Sequence, residues 1–128
     1  MKPLTLEWIQ KAEGDFITAQ REYSAPDNPN YDAACFHAQQ CAEKYLKARL
    51  VEAGIEFTKT HDLSAILDYV IPVEPDWQPL REDLNSLTDQ AVEVRYPGTF
   101  ADADDAKQAV EVAQKVRTAV RTTFGLKV

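Results

Sequence analysis

The side chains able to do chemistry fall into three groups. In Thr58-Lys59-Thr60-His61-Asp62-Leu63, a lysine and a histidine stand just before a run of helical periodicity. The free N–H groups and positive end of a helix favour an anion, so Lys59 and His61 are candidates for phosphate binding. The structural alternative is that Thr60 or Asp62 caps the helix and His61 packs beside it. Arg95 and Tyr96 stand near the end of another helical run. There a guanidinium either complements the helix dipole or grips a phosphate or a carboxylate with two hydrogen bonds. Third, His37, Gln40, Lys44 and Lys47 follow one another at i+3 and i+4 steps, so a ligand or partner could meet all four. The alternative for this stripe is solvated surface, with Glu43 and Lys47 as an ordinary i,i+4 ion pair.

Other chemistries find no support. His37 and Cys41 are four apart, a spacing that can hold a metal, but no further histidine or cysteine cluster completes a four-ligand site, so no metal is expected. The four glycines form no phosphate loop, and Ser24, Ser64 and Ser86 lack a nucleophile-elbow context. No catalytic residue is assigned and no cofactor is implied.

The elements that must position these groups read as helices. Ile9, Ala12, Phe16, Ala19 and Tyr23 repeat at helical spacing, predicting a first helix from Leu6 to Tyr23. A second runs from an Asn30 cap to Gly54. At about 100° per residue it places Ala34, Ala38, Cys41, Ala42, Tyr45 and Ala48 on a small, apolar side, and His37, Gln40, Glu43, Lys44 and Lys47 on a polar side. A third begins near Thr60 to Asp62, uses Leu63, Ile66, Leu67 and Val70, and stops before Pro72. A fourth is predicted with Asp76 as its cap, Pro79 in its first turn, and Leu80, Leu84, Leu87 and Ala91 as its buried edge, ending by Pro97-Gly98. The fifth starts at Asp102 and turns Ala106, Ala109, Val110, Ala113, Val116 and Val120 inward. No stretch alternates with period two convincingly enough for a strand. The fold class is therefore all-α, an antiparallel up-down bundle of four to five helices in one domain.

Composition sets the outer limits. The 128 residues, 45% of them hydrophobic, suffice to bury roughly two-thirds of the surface of the unfolded chain. A net charge of -7, from 21 acidic and 14 basic residues, opposes adhesion to duplex DNA or anionic lipid. Cys35 and Cys41 point in different directions on the second helix and are expected to be reduced thiols. No signal-peptide core or membrane span is present, so a cytoplasmic location is expected.

Taken together, "YDAACFHAQQCAEKYLKARL", "TKTHDL" and "VRYPG", spread in order over Tyr31 to Gly98, resemble the HEPN family of prokaryotic helical proteins. The resemblance implies a bundle that dimerises, often encoded beside a minimal nucleotidyltransferase in toxin–antitoxin pairs. Some relatives are metal-independent ribonucleases that carry an arginine, four to six residues and then a histidine. Here the only histidines are His37 and His61, neither has an arginine at that spacing, and none follows Arg95. The expectation is a non-catalytic homodimer that binds a nucleotide or another phosphate-bearing ligand, or partners a nucleotidyltransferase. The ligand would meet His37, Gln40, Lys44, Lys47, Lys59, His61, Arg95 and Tyr96. A divergent ribonuclease using His61 or His37 with Arg95, and a purely structural dimer, are the alternatives.

Overall fold

A computed structural model describes all residues from Met1 to Val128. Five α-helices and one short 3-10 helix account for the regular structure: α1 (Pro3–Ser24), α2 (Tyr31–Ala53), α3 (Leu63–Val70), the 3-10 helix (Pro75–Leu80), α4 (Arg81–Glu93) and α5 (Ala103–Thr123). The chain is all-helical, as its periodicity predicts, and no helix is long and apolar enough to cross a membrane.

The helix boundaries follow from local chemistry. Asn30 caps α2 by accepting a hydrogen bond from the Ala33 N–H at 3.0 Å. Gly54 ends α2 at φ +70°, a left-handed geometry that costs a side-chain-bearing residue energy. Asp102 and Asp105 form a reciprocal capping box that opens α5. At α3, Asp62 is the cap and accepts from the N–H groups of Ser64 and Ala65.

Two boundaries differ from the sequence expectation. The first helix starts at Pro3 rather than Leu6, because proline is well suited to the first helical position and Lys2 is tied to Glu52 and Val51 across the bundle. Asp76 caps no α-helix. Asp76 and Pro79 instead lie in the separate 3-10 helix, anchored by the buried Trp77, and α4 begins only at Arg81. Pro79 has no N–H to donate in either kind of helix, and Trp77, whose N–H donates to the Glu74 carbonyl at 3.1 Å, is the residue this turn buries.

The core is one contiguous cluster that draws residues from every helix. The central element is α2, which packs most extensively on α1 and α5 and also touches α3 and α4. Its small residues Ala34, Ala38, Cys41, Ala42 and Ala48 are fully enclosed and allow this close approach. On α5, Val112 is buried and Val110 only half-buried, reversing the expectation for Val110; Leu80 is likewise only half-buried.

Candidate functional site

The polar side of α2 is not a solvated face. Gln39, Glu43 and Lys47 are 2%, 3% and 7% exposed, which corrects the reading of Glu43 and Lys47 as a surface ion pair. Because α2 is central, its polar stripe is roofed by neighbours, and every buried polar side-chain atom in the molecule has a partner.

Glu43 organises the stripe. One carboxylate oxygen accepts from His61 Nδ1 at 2.9 Å and from Gln39 Nε2 at 3.1 Å, and the other from Lys47 Nζ at 3.0 Å. Gln39 Nε2 also donates to the His61 carbonyl at 3.0 Å, and Gln40 Nε2 donates to Gln39 Oε1 at 2.8 Å. Burial opposes ionisation of Glu43, but the hydrogen bonds from His61, Lys47 and Gln39 outweigh it and hold the carboxyl below its ordinary range. An ionised Glu43 makes His61 Nδ1 the donor, and Nε2 has no protein partner.

His61 is 72% exposed at its side chain and stands over two adjoining depressions. One, of about 200 Å³, is lined by Gln39, His61, Asp62, Thr88 and Arg95, together with Ala91 and Val92. The other, of about 280 Å³, is lined by Lys47, Lys59, Thr60 and His61. Two further depressions lie between α4 and α5 and along the start of α1, but neither brings an imidazole beside cationic side chains. The Lys47 ammonium lies 5.6 Å from the Trp8 ring centroid and 6.0 Å from that of Phe57, within cation–π range of both.

Several contacts fix this geometry. Leu63 N–H donates to Thr88 Oγ1 at 3.2 Å and joins the start of α3 to α4. Arg95 stacks over the Phe36 ring at 5.6 Å, and Ala101 N–H donates to Asp32 Oδ1 at 2.7 Å, which ties the α4–α5 connection to α2.

Of the residues expected to share a site, Lys47, Lys59, His61 and Arg95 converge, and Gln40 touches the cleft through Gln39. His37 and Lys44 do not. Both bind Asp15 of α1, His37 Nδ1 at 2.8 Å and Lys44 Nζ at 2.6 Å, on the flank of α2 that faces α1. On a cylinder they lie beside the stripe, but α1 intercepts them. Tyr96 is 65% exposed and lines neither depression. The anion site expected at the start of α3 is also changed, since the Asp62 carboxylate already takes the helix's free N–H groups.

Gln39 and Glu43 are not among the expected site residues. The signal that could find them is the complementary series Gln39, Glu43, Lys47 at i,i+4 spacing beside the apolar residues Ala42, Leu46 and Leu50. The cysteines offer no reactive thiol. Burial pushes Cys35 up to about 12 and raises Cys41 further, and both stay protonated at neutral pH.

The sequence model of the HEPN domain matches residues 5–123. The "Putative toxin MJ1304" of Methanocaldococcus jannaschii is 28% identical, over 94% of this chain and 90% of its own length. The crystal structure of ST0689, an archaeal HEPN homologue, superposes with a TM-score of 0.71 at 27% identity, covering 96% of this chain and 98% of the other. TT1696 from Thermus thermophilus shares the fold, with a TM-score of 0.73 at 24% identity over 92% of this chain and 96% of its own.

Proposed function

The chain belongs to the HEPN family, and on that premise we propose that it is a toxin-type member whose cleft around His61 binds a nucleotide or another phosphate-bearing ligand. It acts as a homodimer alongside a minimal nucleotidyltransferase. The toxin element rests on likeness to the "Putative toxin MJ1304". The ligand element rests on one observation, the convergence of Lys47, Lys59, His61 and Arg95 around depressions backed by Gln39 and Glu43.

The net charge of -7 makes this local grouping informative. Lys59 and Arg95 take part in none of the protein's ion pairs, whereas His37 and Lys44, on the flank of α2 that faces α1, are both paired with Asp15. Unpaired cations beside a hydrogen-bonding imidazole suit a phosphate, with Arg95 able to grip two oxygens at once. Calorimetric titration with ATP in metal-free buffer tests the reading: binding that weakens in His61→Ala and Arg95→Ala supports it, and absence of heat with every nucleotide refutes it. Size-exclusion chromatography with light scattering tests the dimer, and pull-down with the product of any adjacent nucleotidyltransferase gene tests the partnership.

A second reading, a metal-independent ribonuclease, is favoured by the Glu43–His61 pair. A carboxylate holding Nδ1 leaves Nε2 as the proton-accepting atom, and Arg95 lines the same depression, where it could steady phosphate charge. Cleavage of labelled RNA in the presence of EDTA, lost in both His61→Ala and Arg95→Ala, supports this reading. Intact RNA leaves ligand binding without catalysis.

A further inference from the structure

The two depressions share His61 as a common wall. That wall is anchored twice, by Glu43 at Nδ1 and by Gln39 at the backbone carbonyl. Each side holds one cation without a carboxylate partner, Arg95 on one and Lys59 on the other. Asp62 is the only acidic side chain lining either side, and its carboxylate faces the N–H groups that open α3, which offset its charge.

We propose that His61 divides the cleft into two anion subsites, so that the preferred ligand carries two phosphate groups that are not nearest neighbours. A ligand that meets both cations presents phosphate on each side of the imidazole. The outer phosphates of a linear triphosphate, or successive phosphodiesters of a single strand, are the candidates for that spacing. This rests on the reading of the cleft as a phosphate site and adds that one phosphate alone does not fill it. Arg95 holds one group, Lys59 with Lys47 holds the other, and His61 Nε2 hydrogen-bonds the segment between them.

The test is calorimetry on the full chain with orthophosphate, pyrophosphate, tripolyphosphate, ATP and a short oligothymidylate, at fixed ionic strength without divalent metal. Tripolyphosphate is expected to bind about tenfold or more tighter than orthophosphate or pyrophosphate. Arg95→Gln and Lys59→Gln should each abolish that preference by lowering the affinity for tripolyphosphate to the level of orthophosphate. Both residues are exposed, so neither substitution disturbs the core. Lys107→Gln, on the exposed side of α5, is the control for bulk charge and should have no effect. A preference for ATP over the oligothymidylate identifies a free nucleotide as the source of the phosphates, and the reverse identifies a strand. Equal affinity for orthophosphate and tripolyphosphate, or a Lys107→Gln effect as large as that of Lys59→Gln, overturns the two-subsite arrangement while leaving a phosphate site intact. Failure of all five ligands to bind overturns the phosphate reading itself.

Discussion

Glu43 carries three hydrogen bonds from side chains while almost wholly enclosed, and much of the site's geometry depends on it. Enclosed ion pairs add little net stability when intact, but removing one partner strands the other charge. Glu43→Ala, which leaves Lys47 uncompensated, is therefore expected to lower the unfolding free energy by about 3–5 kcal/mol in a urea titration. Lys59→Ala, at an exposed position, should stay within about 0.5 kcal/mol of the parent. Acid acts through the same group. The folded Glu43 carboxyl lies below its ordinary value of 4.5, and Glu13 is lowered too, by its hydrogen bond from Arg117 against the cost of burial. The unfolded chain takes up these protons first, so the stabilisation is complete at neutral pH and is lost as pH falls below 4.5 and through the folded values. Urea midpoints measured across the acid range should decline there; a midpoint that rises on acidification would contradict the ionised, hydrogen-bonded state of both carboxylates.

At the level of the element, the caps explain why α2 and α5 are legible in the sequence. Asn30, Gly54 and Asp102 are residue types with a strong positional preference, and each sits where that preference predicts. Asn30→Ala removes the bond to the Ala33 N–H and should cost about 1 kcal/mol in chemical denaturation, with the α2 amides nearest the cap exchanging faster. The segment before α4 is less legible. Pro75, Asp76 and Pro79 look like an ordinary helix start, but a second proline so close behind the first disfavours regular α-helical bonding, and the burial of Trp77 selects the 3-10 turn. The polar stripe of α2 escapes the sequence for a different reason. Periodicity tells which residues share a face, and at α2 it rightly groups Glu43 with Lys47. It cannot tell which helices surround that face, and α1, α3, α4 and α5 all pack on α2. For the same reason His37 and Lys44, correct in spacing, are drawn away by Asp15, a residue 22 positions from His37.

For the whole molecule, an acidic protein presents a small cleft lined by cations where three parts of the fold meet: the approach to α3, the end of α4 and the polar stripe of α2. A second charged network, on the α1–α5 side, is self-contained. Arg117 makes two 2.8 Å bonds to Glu13, the Tyr45 hydroxyl bonds the same carboxylate, and Arg121 reaches that hydroxyl at 3.2 Å. Such a network fastens helices together, whereas Lys59 and Arg95 take part in no ion pair. The same charge arrangement sets the salt response. Ligand binding should weaken as ionic strength rises, because exposed cations are screened, whereas the enclosed Glu43–Lys47 pair is not. The most direct measurement is an amide chemical-shift map of the isotope-labelled protein during titration with ATP. The expected result is a set of shifts confined to Lys59, Thr60, His61, Thr88, Arg95 and the adjoining turns of α2 from Gln39 to Lys47. Shifts centred on Asp15 and His37, or a spectrum unmoved at saturating nucleotide, would contradict the assignment of the cleft.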